Sequence, residues 1–551
     1  MDNEKMSDAR ASRPVDRERL RQFNDVLARY HAGLAKTKSR IVSSESWWKL
    51  RNTSEERKTS GIGERGGFCS VSGWLHNVIT SKHADAVEAY PEPVILPREA
   101  DDCAEAEMLS SIIPCILEQN RFEKTYSDVA WQKLKTGTGC YKVFWDSSKL
   151  GGLGDISIEK VNVLNLFWEP GVADIQNSKY VFHTELCDRD ELEELYPALA
   201  GKLYSGGFIG AKFLYDDTVD TSDKACVVEV YYKKRVRGSS TLQYAKYVGE
   251  ELIFATENET EGDGIAPPMA ETGLYDHATY PFVLDALFPI EGSPCGYGYV
   301  DLCRSPQTEI DLMKTAFLKN TISGATPRYF SRLDGNVNVD EFLDVSNPIV
   351  SVAGGSVDEA SLRKIDAPSL DGVYVSFLDR TINELRETSG NTETSTGNIS
   401  SGVTAAAAIA ALQEASSKGA RDSTLSAYRS FALIVEMCIE LIRQFYNMPR
   451  KFRIVGAEGA YRYVSYSGAG TKPQHQGGEL GLDMGYRLPT FDVKVAAQKK
   501  NAYSRLGQNE MALQLFGLGF FRPDRAAEAL ACLDLLEFEG KERVKRRIGM
   551  R

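Results

Sequence analysis

The sequence has few histidines, no closely spaced pair of cysteines and no long apolar run. Six histidines are few for a metalloenzyme, and the ten cysteines lack the CxxC spacing of zinc ribbons and thioredoxin-like sites. The N-terminus lacks the apolar core of a signal peptide, and no apolar run reaches the roughly 20 residues that span a bilayer. We therefore expect reduced core thiols, no metal, no cofactor and no membrane contact.

The motifs of several common enzyme classes are also absent. GxSxG and HExxH do not occur, and GAGTK at residues 468–472 lacks the spacing and order of a phosphate-binding loop. GTG at residues 137–139 follows a predicted helix and precedes a predicted strand. Dinucleotide-binding glycines have the reverse order, strand before and helix after, so we interpret GTG as a turn. His76, His83 and Asp85 are the best metal-ligand set, but two histidines seven apart on a helix are more often surface or core residues. We expect a protein without catalytic activity.

What is present is the composition of a globular protein that is large enough for several domains. The 551 residues are 42% hydrophobic and 26% charged, and the formal net charge is −12. An acidic chain is poorly suited to grip nucleic acid, because that grip comes from Lys and Arg on phosphates, although DNA can still slide past it. Basic runs occur near both ends, within residues 10–29 and 541–551.

The first hundred residues predict helices. We expect a basic helical arm over residues 1–60, a Gly-rich break at 61–68, and a helix running to Glu92 that three prolines end, namely Pro91, Pro93 and Pro97. A further helical pair is predicted over residues 101–134.

Strands follow the helices. Alternating and β-branched segments between residues 140 and 256 predict a twisted antiparallel or mixed sheet. The Gly- and Pro-rich segment 289–298 predicts a hinge and the best internal boundary. The chain therefore belongs to the α+β class.

Two helices then flank a small insert. The first runs from about Val300 to Thr321, and the second from about Gly372 to Glu387, with Val375, Leu378, Ile382 and Leu385 on one face. Turn signals between the helices predict a small β-rich module, with NPIVSV and LRKI as strands. We expect the two helices to hold this module away from the rest of the chain.

A polar loop and a long helix come next. Glu393 is the only charge in residues 388–402, so this segment is either a surface linker or a weakly binding contact for a passing polyanion. One helix is predicted over residues 403–447, on the order of 65 Å long, with a kink at Ser416, Ser417 and Gly419. FRIVG, YRYVSY and FDVKVAA then predict strands around a turn-rich segment at 468–485, and helices from about Ala502 to Ile548 close the chain.

Six segments together resemble the portal proteins of tailed double-stranded DNA bacteriophages, over residues 47 to the end. The segments are KHADAVEAYPEPVILPRE, LKTGTGCYKVFWD, GDISIEKVNVLNLFWEPGVADIQNS, YPFVLDALFPIEGSPCGYGYVD, ELRETSGN and GVTAAAAIAALQEASSKGARD. The resemblance implies a portal fold with long helices for stem, wing spine and crown, a mixed or antiparallel β wing and a small β-containing clip.

The resemblance also implies a division of the chain into named regions. After the arm at 1–60, these are the first part of the wing (61–299), a stem helix (300–323), the clip (324–371), a second stem helix (372–387), the tunnel loop (388–402), the long wing helix (403–447), wing strands (448–497) and crown helices (498–551). The loop residues expected to line the DNA channel are Thr388, Ser389, Asn391, Thr392, Glu393, Thr394, Ser395, Thr396 and Asn398.

The function implied by the resemblance is that of a homo-oligomeric, usually dodecameric, ring at one capsid vertex of the virion. Double-stranded DNA is packaged and ejected through such a ring, which is assembled in the host cytoplasm. The implied partners are the terminase large subunit, head-completion or adaptor proteins, the major capsid protein and the scaffold. Two alternatives remain open, namely another structural or adaptor protein of a viral head and a cytosolic hydrolase of unrecognised class.

Overall fold

The computed structural model describes most of the chain from residue 14 to residue 497 and parts of the last fifty residues. The described ranges are 14–50, 70–203, 213–214, 217–218, 220–236, 238–260, 267–325, 328–331, 362–365, 372–391, 418–455, 461–477, 483–497, 513–514, 516–519, 522, 526–535, 544–545 and 548.

The helices of these ranges alternate with groups of strands in chain order. The helices are α1 (Arg17–Gly33), α2 (Ala35–Trp48), α3 (Trp74–Glu88), α4 (Cys103–Gln119), α5 (Phe122–Thr136), α6 (Arg189–Leu195), α7 (Met269–Thr272), α8 (Tyr299–Ala325), α9 (Gly372–Ser389), α10 (Lys418–Phe445) and α11 (Ala526–Leu535). This mixture confirms the predicted α+β class.

The strands are mostly short. They are β1 (Pro91–Pro97), β2 (Thr138–Asp146), β3 (Asp155–Lys160), β4 (Leu166–Trp168), β5 (Tyr180–Asp188), β6 (Phe213–Leu214), β7 (Asp217–Thr218), β8 (Lys224–Val236), β9 (Ser239–Val248), β10 (Glu251–Ala255), β11 (Phe282–Ala286), β12 (Phe288–Pro289), β13 (Gly296–Tyr297), β14 (Arg328–Ser331), β15 (Leu362–Ile365), β16 (Arg450–Val455), β17 (Tyr461–Tyr466), β18 (Gln474–Gly477), β19 (Asp483–Arg487) and β20 (Phe491–Ala497).

The chain forms two compact units. Unit 1 comprises Met1–Lys82, Trp131–Tyr141 and Lys160–Asp422, and unit 2 comprises His83–Ala130, Lys142–Glu159 and Ser423–Arg551. The predicted boundary at residues 289–298 therefore lies inside unit 1, because β12 and β13 pair there as an antiparallel ladder.

Unit 1 contains the predicted sheet. Its five strands follow the order β10-β9-β8-β5-β4, and each neighbouring pair is antiparallel. Helix α1 covers one face of the sheet, where the Phe23 ring lies 5.5 Å from the Tyr232 ring and 5.9 Å from the Tyr180 ring. The guanidinium of Arg21 pairs with Glu250 at 3.0 Å. The helices predicted for the N-terminal arm are thus confirmed, and the first of them packs on the sheet.

Unit 2 is built around α4, the first part of α5 and α10. One face of α10 is buried along the helix, since Phe431, Val435, Cys438 and Ile442 are at most 1% exposed. Phe431 packs on Phe122 with ring centroids 5.6 Å apart. The antiparallel pairs of this unit are β1 with β20, β16 with β17, and β18 with β19.

Two expectations for unit 2 are wrong. Pro91, Pro93 and Pro97 lie in strand β1 and do not simply end a helix, which stops at Glu88. The Ser110 hydroxyl accepts from the N–H of Ile95 and donates to its C=O, so the backbone groups of Ile95 point away from β20. Every second residue of β1 points its backbone groups the same way as Ile95. Proline fits at these positions because they form no hydrogen bond with β20. The segment predicted to be turn-rich, residues 468–485, contains β18 and the start of β19.

Candidate functional site

The helix pair α8 and α9 is the most distinctive element of unit 1 outside the sheet. Both predicted helices are confirmed, and the two helices pack against each other. The predicted apolar stripe of α9 is buried over only part of its length, because Leu385 is fully buried while Val375 is 53% exposed. We call residues 299–315 of α8 and 381–389 of α9 the base half, and residues 316–325 and 372–380 the far half.

A hydrophobic cluster surrounds the base half. Its buried members are Leu75, Val78, Ile79, Leu134, Leu287, Tyr299, Val300, Cys303, Ile310 and Leu385, and Trp47, Trp48, Trp74 and Trp131 pack around them. Burial raises the pKa of the Cys303 thiol to about 11, so this thiol stays protonated and behaves as a small apolar group. The four tryptophans and the neutral thiol make the base half a packed core.

A row of polar side chains fixes one side of α8 to the start of α3. Gln307, Asp311 and Thr315 recur every four residues on one face and are all buried. Asp311 accepts the N–H and the hydroxyl of Ser72 at 2.9 and 2.5 Å, and the Thr315 hydroxyl accepts the N–H of Ser70 at 3.0 Å. Sequence reasoning missed this row, although polar residues at every fourth position of an otherwise apolar helix face were a visible signal.

A second polar contact fixes the beginning of α8. Asp301 accepts the N–H of Gly298 at 3.1 Å and forms an ion pair with Arg40 at 3.2 Å. Gly137 has a φ of +87°, and a Cβ at this position would lie 2.3 Å from the backbone of Tyr297. The turn predicted at GTG is therefore confirmed only at Gly137, since Thr138 and Gly139 already belong to β2. Glycine is required at residue 137 by both its conformation and this close approach.

Helix α9 ends in a fixed turn. Gly390 has a φ of +66°, its N–H donates to the Glu387 carbonyl, and the N–H of Asn391 donates to the Arg386 carbonyl, each at 3.0 Å. This pair of bonds is the Schellman motif, which satisfies the last carbonyls of a helix. The ammonium of Lys82, itself 7% exposed, donates to the Gly390 carbonyl at 3.3 Å. A cation at a helix C-terminus also complements the helix dipole.

The structure describes only the first of the predicted channel residues. Thr388 and Ser389 are the last two residues of α9, so their assignment to a loop is wrong, because the Schellman turn at Gly390 lengthens the helix beyond Glu387. Thr388 is exposed, whereas Ser389 and Asn391 are buried. The others lie outside the described residues: Thr392, Glu393, Thr394, Ser395, Thr396 and Asn398.

The predicted kink also falls mainly outside the described residues. Ser416 and Ser417 are not described, and Gly419 is the second residue of α10, which continues without interruption to Phe445. The predicted helix over residues 403–447 is confirmed from Lys418 onward. The kink itself stays a prediction.

The insert between α8 and α9 begins and ends with paired strands. Strands β14 and β15 are antiparallel, with Arg328 opposite Ile365 and Ser331 opposite Leu362. LRKI is thereby confirmed as a strand, while NPIVSV lies outside the described residues. Pairing of β14 with β15 holds the two ends of the insert side by side.

The far half of the pair exposes large apolar side chains. Val373, Tyr374, Val375, Phe377 and Ile322 are between 50% and 74% exposed. Several exposed large apolar residues on one short part of a helix pair are uncommon on a monomer and are typical of a protein–protein interface. The amphipathic pattern of α9 thus continues past the point where the described part of the chain covers it.

Sequence reasoning also missed Lys38 on α2. Its ammonium donates to the Leu164 carbonyl at 2.6 Å and lies 3.1 Å from the centroid of the Phe167 ring. Burial lowers the pKa of Lys38 to about 6. The contact joins α2 to the strand β4, and a lysine among polar helix residues gives no sequence signal for such a role.

The described residues contain no group of three or more potential metal ligands. His76 stacks on Trp48 with ring centroids 4.2 Å apart, and His83 contacts the Ser127 hydroxyl at 3.0 Å, so each imidazole of the weighed ligand set has a packing or hydrogen-bonding partner. Among the described helices, none combines the length and the apolar character needed to cross a bilayer.

Comparison with known families identifies one match. Residues 84–550, which are 467 of the 551, match the family model described as Phage P22-like portal protein. No curated protein matches the chain. The matched range includes α8, α9, the insert and α10, and it begins after α1 and α2.

Proposed function

Because the chain belongs to the P22-like phage portal protein family, we propose that it assembles into a ring whose central channel carries double-stranded DNA into and out of a phage capsid. Portal proteins are structural components of the virion. We place the ring at one capsid vertex, with twelve copies of this chain as the expected number, and place its assembly in the host cytoplasm.

The exposed far half of the helix pair is the observation that carries this proposal. A ring repeats one head-to-tail interface, so each copy must offer a surface that a second copy covers. Val373, Tyr374, Val375, Phe377 and Ile322 provide such a surface on an element whose other half is firmly held. Burial of these side chains by neighbouring copies removes apolar area from water and supplies the driving force for closure.

The partners are assigned by the same reasoning. The insert at residues 324–371, whose ends are joined by β14 and β15, is the expected docking point for the terminase large subunit and later for head-completion or adaptor proteins. The major capsid protein and the scaffold are the expected partners of the wing, over residues 61–299 and 403–497. The other structural head protein and the hydrolase are not favoured by any contact among the described residues.

The ring is tested by the assembly of the purified full-length chain. We expect sedimentation velocity and negative-stain images to show closed rings for the wild type. The double variant Val373→Asp/Phe377→Asp should assemble only at much higher concentration, because it places two carboxylates in an apolar contact. Asn383→Asp, at an exposed site of the same helix, adds charge outside the patch and should assemble normally.

Two outcomes would contradict these statements. A wild-type chain that stays monomeric under every assembly condition removes the ring. A double variant that assembles as readily as the wild type removes the far half from the interface. Thermal unfolding of both variants, compared at low protein concentration, separates a loss of assembly from a loss of folding.

The DNA contact is proposed for residues 392–402, which follow the turn at Gly390. Their hydroxyls and amides contact phosphate weakly, and the segment has no lysine that would hold a passing duplex. The Schellman turn at Gly390 and the ammonium of Lys82 support this proposal, since the segment starts from a fixed point. An acidic chain repeated around a channel also repels DNA more than it adsorbs it.

Lysines at the loop test this contact. In the variant Thr392→Lys/Thr394→Lys/Thr396→Lys, we expect slower DNA passage in a packaging assay with ring assembly unchanged, because added ammonium groups bind phosphate. The matched variant with serine at the same three positions keeps the hydroxyls and should package at the normal rate. Normal packaging by the lysine variant would remove these residues from the channel.

A further inference from the structure

The hairpin of β16 and β17 in unit 2 presents one face to solvent. Arg453 lies directly opposite Tyr463, and Lys451 lies opposite Ser465. Because side chains two apart on a strand point to the same side, these four residues share a face. All four are exposed, and Tyr463 is 75% exposed.

The opposite face of the hairpin is held by the core of unit 2. Phe452 and Tyr466 are 4% and 5% exposed, and the Tyr466 hydroxyl donates to Glu105 on α4. Arg450 turns inward, where its guanidinium lies 4.2 Å from the centroid of the Tyr446 ring. The outer face therefore rests on a supported element, and its side chains are not needed to fill the core.

The hairpin is locally basic in an acidic chain. The described residues of β16 and β17 include four cations and no carboxylate, whereas the whole chain has a net charge of −12. Arg450 is used inside and Arg462 lies on the same side of the hairpin as Phe452, so the outer face carries the two exposed cations Lys451 and Arg453. Glu118 on α4 is a carboxylate beside this surface. Burial raises the pKa of the Cys115 thiol, Glu118 adds to that rise, and Arg453 opposes it.

We propose that the outer face of this hairpin binds the phosphate backbone of double-stranded DNA. Lysine, arginine, tyrosine and serine are all donors to phosphate oxygens, and they occupy both cross-strand pairs of the face. The flat face inserts no element into a groove, so the contact is independent of base sequence. The inference goes beyond the proposed channel, because it assigns a second, adhesive contact to a unit that does not contain residues 392–402.

The charge count sets the expected salt dependence. Each phosphate neutralised by a cation contributes about 0.9 to the slope of log affinity against log salt. Two cations on this face, Lys451 and Arg453, therefore contribute about 1.8, which corresponds to about a sixtyfold difference in affinity between about 0.1 M and 1 M salt. The Tyr463 hydroxyl adds one uncharged contact.

Binding of the purified full-length chain to a short synthetic duplex of mixed sequence tests the proposal. Fluorescence anisotropy is measured over a series of salt concentrations. For Lys451→Gln/Arg453→Gln, we expect about sixtyfold weaker binding near 0.1 M salt and a slope smaller by about 2. Glu118→Gln should tighten binding, since it removes the neighbouring negative charge.

A matched variant controls for net charge. Lys124→Gln/Arg429→Gln removes two exposed cations from the same unit but none from the hairpin. It should bind DNA nearly as well as the wild type, with a slope within about one of the wild-type value. Equal losses in the two double variants would overturn the assignment to the hairpin and indicate non-specific attraction.

Other outcomes also decide the matter. Full affinity and slope in the hairpin variant, or no duplex binding by the wild type, would overturn the proposal. So would a hairpin variant that binds DNA normally but fails to assemble, because the face would then contact a second copy. Duplex binding by a wild type that forms no ring supports the hairpin contact and counts only against the proposed channel. All substituted side chains are exposed, and thermal unfolding checks that the variants fold.

Discussion

The two halves of the helix pair α8 and α9 share one amphipathic pattern but differ in what covers it. In the base half, Ile310 and Leu385 are fully buried in a cluster ringed by four tryptophans. In the far half, Val373 and Phe377 on the same helix pair are at least 50% exposed. The comparison separates apolar residues that stabilise one chain from those available to join several.

The polar groups of the pair show the same division. In the base half, Asp311 and Thr315 are buried and bonded to Ser72 and Ser70, so they fix the orientation of α8. In the far half, Lys319 is exposed. Buried polar groups require specific partners, whereas exposed ones do not, so the base half has one arrangement and the far half can be repacked by a neighbour.

The largest expected effect comes from truncating the buried stripe. Leu385→Ala should lower the free energy of unfolding by about 2–5 kcal/mol, because it removes a fully buried side chain and leaves a cavity. Phe377→Ala, in the far half, should change it by less than about 1 kcal/mol when measured on the unassembled chain. Urea unfolding followed by circular dichroism makes the measurement. Similar losses for the two variants would erase the distinction between the halves.

A smaller effect is expected from the polar row. Asp311→Ala removes a buried carboxylate and leaves the half-buried N–H of Ser72 without this acceptor, so it should cost about 1–3 kcal/mol in unfolding free energy. Lys319→Ala, a polar truncation at an exposed site of the same helix, should be nearly neutral. The same urea measurement serves both variants. A neutral Asp311→Ala would mean that the apolar cluster alone holds α8.

Much of the fold was predictable because the signals are local and periodic. The three-then-four spacing of apolar residues predicted α8, α9 and the described part of α10, and β-branched alternation predicted the strands of the five-stranded sheet. The fold class follows from these elements. Residues 84–550 then match the family to which the resemblance pointed.

The errors have physical causes that sequence patterns do not carry. Proline predicts the end of a helix, yet β1 accommodates three prolines on the side that faces away from β20. Ile95 is the one residue of β1 on that side that has a backbone N–H, and this N–H donates to the Ser110 hydroxyl. A glycine such as Gly390 in a polar segment predicts a loop. In the structure its positive φ forms the turn that ends α9, so the helix extends to Ser389. Lys82 is on α3, more than three hundred residues earlier in the chain, and only the tertiary fold brings it to Gly390.

The candidate site was predictable only in outline. The amphipathic pattern shows that the α9 stripe must be covered, but it cannot distinguish cover by the same chain at Leu385 from exposure at Val375. The basic face of β16 and β17 was hidden for a related reason. The strands were recognised, while the register that aligns Arg453 with Tyr463 depends on long-range pairing.

Strand β1 has a consequence for a protein that works in many copies. Its prolines remove donors along the side that faces away from β20, and Ser110 occupies the donor and acceptor of Ile95 there. Strand edges are where crowded chains exchange or add strands by mistake. The prolines therefore leave this side of β1 with few free hydrogen-bonding groups, so that packing many copies side by side creates no hydrogen-bonded contact between strands there.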